Sequence, residues 1–234
     1  MDSFDLSFAL KTIPKLLPYL RITAAVMFGS IFYGLVTGSI LARICLDKNK
    51  AIRRTGFAIV NMIRCTPGII MVYIIYYGLP KVFQLFGHNI SNIPRFIFMI
   101  FALGILFSAS AAEILRSAFL SISEGQFEAA ITIGLTNFQA YRRIVFPQLI
   151  AITLPNFGNS FIALLKEGSL AYLIGVIDIM GQGNLIIARL YGTHAVEVYT
   201  ALLVIYLVLT FILDRIFILL EKKFGRGRRE TAHA

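Results

Sequence analysis

Residues 117–147 read SAFLSISEGQFEAAITIGLTNFQAYRRIVFP, a stretch with the pattern of two short consecutive helices. Ser123 with Gln126 has the spacing of a capping box, in which two side chains satisfy the free N–H groups of a helix start. Thr136 with Gln139 repeats that spacing. The pattern therefore predicts one helix that begins after Ser123 and a second that begins after Thr136.

Gly134 stands where the first of these helices would end. Glycine takes the left-handed conformation of a helix C-terminus without steric cost, which favours a tight hairpin at this point. The bare surface of Ala129 and Ala130 would let a groove on a partner approach the hairpin. Helix periodicity alone equally allows an amphipathic hairpin that lies on a lipid surface.

Apolar segments flank this hairpin on both sides. The chain is 58% hydrophobic and 15% charged, with a mean hydropathy of +0.79, whereas soluble domains are roughly 45–50% apolar and about 25% charged. About 20 apolar residues suffice for a helix to cross a bilayer. Five segments reach or approach that length, at about residues 19–46, 56–79, 93–112, 144–179 and 196–220. We predict an all-α integral membrane protein with five transmembrane helices.

Basic residues set the expected orientation, because cytoplasmic loops are enriched in Lys and Arg. Such residues cluster at 48–54, after the first segment, and at 222–229, after the last. The N-terminus is therefore expected outside and the C-terminus in the cytoplasm, with residues 1–18 extracytoplasmic, 19–220 forming one membrane domain with its hairpin at about 117–143, and 221–234 forming a basic cytoplasmic tail. The formal charge of +10 lacks an aromatic-interleaved basic face, so nucleic-acid binding is not expected. Asp2 and Asp5 argue against a cleaved signal peptide.

Two of the apolar segments carry charges and helix breakers. Pro67 disfavours helix at Thr66, beside the charged Arg64. Lys166 and Ser169 mark a second break, around Gly168. Broken helices at membrane depth are tolerated mainly where they line a cavity, so Arg64, Thr66, Pro67, Lys166 and Ser169 are predicted to line a substrate pathway.

Ion pairing is the alternative for these charges. Arg64 would then pair with Glu113 or Glu167, and Lys166 with Glu167, as purely structural contacts. Glu113 and Arg116, three residues apart, are expected to form a local pair.

The hairpin stretch resembles the EAA motif of ABC importer permeases, EAAxxxG(x9)IxLP, with Phe146 in place of the leucine. The residues that carry the resemblance are Glu128, Ala129, Ala130, Gly134, Ile144 and Pro147. Residues 64–80, 111–119, 125–130 and 155–176 are similar to further elements of the polar amino acid permeases. Cys65 stands where that family has Gly, and Gly168 where Thr is frequent.

This resemblance implies the type I ABC importer permease fold, with the hairpin as the coupling element. It implies ABC ATPase subunits, a second permease copy or paralogue, and an extracellular or periplasmic solute-binding protein as partners. The implied substrate is a polar L-amino acid of the cystine, glutamine, arginine or histidine class. The chain has no G-x-x-x-x-G-K-[ST] loop, so it is expected to be non-catalytic, without a cofactor or metal. A stand-alone secondary carrier or channel is the alternative, although no internal repeat supports it.

Overall fold

The computed structural model describes residues 4–224, apart from the side chain of Glu124, and all regular secondary structure in that range is helical. No strand occurs within that range. The α-helices are α1 (Leu6–Leu16), α2 (Leu20–Cys45), α3 (Lys50–Cys65), α4 (Gly68–Tyr73), α5 (Leu79–Leu85), α6 (Arg95–Leu120), α7 (Glu124–Thr132), α8 (Asn137–Ala140), α9 (Phe146–Glu167), α10 (Ile179–Arg189) and α11 (Ala195–Phe224). Residues 1–3 and most of the predicted tail, from residue 225, lie outside the described residues.

Five helical stretches are long and apolar enough to cross a membrane. They are Leu6–Cys45, Gly68–Leu85, Arg95–Leu120, Asn137–Ile174 and Ala195–Phe224. This confirms the all-α fold class and the number of spans. The second span starts at residue 68 rather than 56, because the helix stops at Cys65 and the preceding α3 is much more polar.

The first stretch begins with a helix that the sequence pattern did not indicate. The whole stretch Leu6–Cys45 has 40 residues. It corresponds to about 60 Å of helix, twice the thickness of the roughly 30 Å hydrocarbon core. The stretch therefore extends beyond the core. Asp5 caps α1, accepting a hydrogen bond from the Phe8 N–H at 3.0 Å. Leu16, on the buried face of α1, packs in a cluster with Val198 and Leu202 of α11.

Helices α2 and α6 pack together along most of their length through small residues. A Cβ atom added to Gly34 would lie 2.7 Å from the Gly104 carbonyl oxygen, and one added to Gly38 would lie 2.7 Å from the Ser108 carbonyl oxygen. Only glycine permits this separation. The Ser30 hydroxyl donates a 3.2 Å hydrogen bond to a carbonyl of α6 across the same contact. Small residues are the usual means of close helix packing in lipid.

Both predicted helix breaks are present. Thr66 is extended, with φ −87° and ψ 120°, and α4 resumes at Gly68 after Pro67. The second break follows Glu167, where α9 gives way to a 3-10 helix over Gly168–Ile174.

The hairpin of α7 and α8 closes as predicted at its glycine. Gly134 has a φ of +89°, and the backbone N–H groups of Gly134 and Leu135 donate to the carbonyls of Ile131 and Ala130 at 2.9 and 3.1 Å. This is the Schellman pattern of a helix C-terminus. We call the end of the bundle that carries α7 and α8 the hairpin end.

Only one of the two predicted capping boxes forms. The Thr136 hydroxyl accepts from the Gln139 N–H, and the Gln139 side chain accepts from the Thr136 N–H. The prediction for Ser123 was wrong, since its side chain makes no capping hydrogen bond. The Gln126 N–H that the Ser123 hydroxyl would cap donates instead to the Ser123 carbonyl at 3.2 Å. The Gln126 Oε1, which the other half of the box needs, accepts a 2.5 Å hydrogen bond from Gln148 on α9.

Two π-helical turns, Ile74–Gly78 and Tyr141–Val145, each end two residues before a proline. A proline ring clashes with the carbonyl four residues earlier in an ordinary α-helix. The wider π turn fits the chain around Pro80 and Pro147. The second of these turns joins the hairpin to α9.

Candidate functional site

A cavity of about 250 Å³ lies between the first helix break, α6 and α9. Its wall combines two charged side chains, three hydroxyls and apolar surface. The lining residues are Ile63, Arg64, Thr66, Gly68, Leu106, Phe107, Ser110, Ser160, Ala163, Leu164 and Glu167. The cavity therefore brings together Thr66, at the first break, and Glu167, directly before the second break, in one polar site.

The cavity is at mid-depth in the bundle. Its α6 residues, Leu106, Phe107 and Ser110, lie near the middle of Arg95–Leu120. Either end of α6 is about 18 Å away at 1.5 Å per residue. A polar cavity at this depth is the setting in which an interrupted helix backbone is tolerated inside a membrane.

The structure brings only some of the predicted pathway residues into this cavity. Arg64 and Thr66 line it, and Pro67 connects Thr66 to the lining residue Gly68. Lys166 and Ser169 are not lining residues, although they flank the second break. The Ser169 hydroxyl instead donates to the Lys166 carbonyl at 2.8 Å.

Among the described side chains, the expected pair of Glu113 with Arg116 forms, whereas the pairs expected for Arg64 and Lys166 do not. Arg116 binds Glu113 through two hydrogen bonds of 2.6 and 3.0 Å, which confirms the local pair. Within residues 4–224, Arg64 has no carboxylate oxygen within 4.0 Å. Lys166 and Glu167 are likewise not paired within that distance. The interpretation of Arg64 and Lys166 as members of structural ion pairs was therefore wrong.

Three polar lining residues were not predicted as pathway residues. Ser110 and Ser160 supply hydroxyls, and Glu167 supplies a carboxylate that sequence reasoning considered only as an ion-pair partner. The signal was present in α9, where the lining residues recur at 160, 163, 164 and 167. That spacing marks one face of a helix.

The hairpin presents a second candidate surface. Glu128 and Ala129 are exposed on α7. The expectation for Ala130 was wrong, because its side chain is only 1% exposed and faces the inside of the hairpin. The rings of Phe127 and Tyr141 lie 5.0 Å apart and hold α7 against the π turn that leads into α9. A displacement of α7 would therefore reach α9 directly.

A bundle of membrane-spanning helices, with a polar mid-depth cavity beside two helix breaks and a helical hairpin at one end, is the arrangement expected of a membrane subunit of a transport protein. The chain belongs to the family described as binding-protein-dependent transport system inner membrane component, which matches residues 34–226. It is a permease subunit of an amino acid ABC importer and a multi-pass protein of the cell membrane. Members of this family are membrane components, and the ATPase is a separate subunit.

The chain is similar to several amino acid permeases. It is 33% identical to the probable amino-acid permease protein YxeN of Bacillus subtilis, over 98% of this chain and 100% of that protein. It is also 33% identical to the L-cystine transport system permease protein TcyL of Bacillus subtilis, over 97% and 94%. A solved amino acid ABC transporter with histidines is 31% identical and has a TM-score of 0.79, over 95% of this chain and 100% of that one.

Proposed function

We propose that this permease moves a polar L-amino acid into the cell through the mid-depth cavity, driven by ATP hydrolysis on a separate subunit. The observation that carries the proposal is the convergence of a broken helix, hydroxyls and two charges on one cavity. A polar solute that leaves water needs fixed hydrogen-bond partners along its path. The cavity wall supplies donors and acceptors at the depth where lipid supplies none.

The names of similar proteins support a polar amino acid as the substrate. TcyL is a cystine permease, and the solved transporter is described with histidines. Cystine, glutamine, arginine and histidine are the candidate substrates. We keep Lys166 and Ser169 as proposed pathway residues beyond the cavity, because they occupy the break that directly follows Glu167.

We further propose that the ATPase docks on the hairpin at the EAA motif. Glu128 and Ala129 offer an exposed face, while Gly134 closes the hairpin and Ile144 and Pro147 join it to α9. The Gln126–Gln148 hydrogen bond and the Phe127–Tyr141 contact provide the mechanical link. Ala130 supports the hairpin from within rather than contacting the partner.

This assignment fixes an orientation. The hairpin end faces the cytoplasm, with the C-terminus, and the N-terminus lies outside. Lys48, Lys50 and Lys222 all belong to the end that we place in the cytoplasm, in accord with the positive-inside rule. The solute-binding protein would dock at the opposite end.

A second permease, either another copy or a paralogue, would complete the pathway. The support is Arg64 at the end of α3, which is exposed on this single chain. A charge at membrane depth needs protein or water as its neighbour rather than lipid. Purification of an active complex that contains a single permease chain would contradict this.

The test is uptake by the complete complex reconstituted in proteoliposomes, measured for a panel of labelled L-amino acids with and without internal ATP. We expect ATP-dependent uptake of at least one polar amino acid. Glu128→Lys should abolish uptake or separate it from ATP hydrolysis. Glu221→Lys is a matched charge reversal on α11, at the same end of the bundle but outside the hairpin, and should retain uptake.

Two results would contradict the proposal. Uptake by the permease alone, without the ATPase, would favour a secondary carrier or channel. Normal ATP-coupled uptake in the Glu128→Lys variant would show that the hairpin is not the coupling element.

A further inference from the structure

The cavity carries one positive and one negative group and no other ionisable side chain. Of its eleven lining residues, only Arg64 and Glu167 are charged at neutral pH. Thr66, Ser110 and Ser160 are hydroxyls, and the rest are apolar residues or glycine. The part of the wall that this chain supplies is therefore neutral, with its two charges on different helices.

Neither charge forms an ion pair with another described side chain. Among the described side chains, no basic nitrogen lies within 4.0 Å of the Glu167 carboxylate, and no carboxylate oxygen lies within 4.0 Å of the Arg64 guanidinium. The nearby Glu113 is occupied by Arg116. A charge at this depth in a membrane is costly unless water or an opposite charge faces it. Arg64 and Glu167 are thus available to a ligand that carries both signs.

The cavity size limits that ligand. About 250 Å³ falls below the usual range for drug-sized ligands, roughly 300–1,000 Å³. A single amino acid suits such a volume. Cystine has two ammonium and two carboxylate groups, and its second pair would find no charged partner in the wall.

We propose that Arg64 binds the α-carboxylate and Glu167 the α-ammonium group of one amino acid whose side chain is uncharged. This inference rests on the proposed import function and narrows its substrate to the neutral, glutamine-like class. Guanidinium and carboxylate can bind in a bidentate geometry, and an ammonium group donates to carboxylate oxygens through charge-assisted hydrogen bonds. The substrate side chain then meets hydroxyls and apolar surface. A basic or acidic side chain on the substrate would add a charge that has no partner in the cavity wall. The wall therefore discriminates against such substrates.

Cys65 offers a reporter at the edge of the cavity. It is exposed and lies in the chain between the lining residues Arg64 and Thr66, whereas Cys45 is buried. We would measure the rate at which a thiol reagent modifies Cys65 in the full importer complex in membranes. The probes are L-glutamine, L-arginine, L-glutamate and L-cystine, with Cys65→Ser fixing the background.

In the natural protein, L-glutamine should slow the modification of Cys65, and the other three amino acids should not at the same concentration. Glu167→Gln should raise the L-glutamine concentration for half-protection about ten- to a hundredfold, since a charge-assisted hydrogen bond is lost. That variant leaves a net positive wall and should gain protection by L-glutamate. Arg64→Gln leaves a net negative wall and should gain protection by L-arginine. A purely structural role would not produce this opposite shift in charge preference.

Asp214→Asn is the matched control, because it removes a carboxylate from a membrane-spanning helix outside the cavity. It should leave the protection by L-glutamine unchanged. Equal protection by L-arginine, L-glutamate or L-cystine in the natural protein would overturn the proposal. So would an unchanged half-protection concentration in Glu167→Gln.

Uptake measured on the same preparation distinguishes a failure of the charge assignment from a failure of the proposed import function. If some amino acid is taken up with ATP but L-glutamine does not protect Cys65, the charge assignment is wrong and the import function stands. If no amino acid is taken up, the import function itself fails.

Discussion

Replacing Gly134 by valine isolates the conformational cost of closing the hairpin. Gly134 has a φ of +89°, which disfavours any residue with a Cβ atom. An added Cβ would meet nothing within 4 Å, so no clash contributes to the result. The left-handed conformation costs an L-residue roughly 1–2 kcal/mol, and a β-branched residue lies at or above the upper end. With 1.4 kcal/mol per tenfold, about 2 kcal/mol corresponds to a roughly thirtyfold shift toward the open hairpin.

Hydrogen exchange of the peptide that covers residues 121–145 measures this opening. We expect amide protection there to fall about thirtyfold in Gly134→Val and less in Gly134→Asn, because asparagine tolerates the left-handed region better. Protection in α6 should not change. Gly125→Ala is the control, since its Cβ would lie at an ordinary 3.6 Å from Ser123 Oγ and alanine favours helix by up to about 1 kcal/mol.

Two outcomes would refute this reasoning. The first is unchanged hairpin protection in Gly134→Val. The second is an equal loss of protection in Gly125→Ala, which would mean that any substitution opens the hairpin and that the left-handed φ is not the cause.

Two further predictions concern stability in detergent. Gly38→Val should lower the melting temperature on the order of 5 °C, because its Cβ would lie 2.7 Å from the Ser108 carbonyl oxygen and overpacking costs about 1–3 kcal/mol. Gly78→Ala should lower it less, because the nearest neighbour of the added Cβ is at 4.0 Å. Equal losses of melting temperature in the two variants would contradict the close-packing argument. Burial raises the pKa of the Asp178 carboxyl, so the folded state prefers its protonated form. The stability that this group contributes is fully present below about pH 4 and is lost as the pH rises through the raised value. Melting temperatures of Asp178→Asn, measured from pH 4 to 7, should therefore fall less with rising pH than those of the unchanged protein, and identical slopes would contradict the prediction.

The sequence predicted what depends on local chemistry. Composition predicted the membrane spans, because it reflects the solvent that surrounds the chain. Pro67 predicted the first break and Gly134 the hairpin closure, because each residue acts through its own backbone conformation. The Gln126 half of the capping box at Ser123 did not form, since the Gln126 side chain has a partner 22 residues away, Gln148. Spacing along the chain contains no information about that contact.

The candidate site was predicted less completely for the same reason. Arg64 and Thr66 were identified from their own segment, but which face of α9 completes the cavity depends on how that helix packs. Glu167 lines the cavity, while its neighbour Lys166 does not. One residue along a helix is a rotation of about 100°, and the sequence does not state which side faces inward.

The contact between α2 and α6 restricts how this protein can change shape. At Gly34 and Gly38 the main chain of α2 comes so close to carbonyl oxygens and side chains of α6 that an added Cβ atom would lie 2.7 Å from them. A shift by one helical turn would drive bulkier residues into carbonyl groups. We therefore expect α2 and α6 to move as one unit in transport. We expect rearrangement in the segments on either side of Thr66 and Gly168, where the α-helices are interrupted.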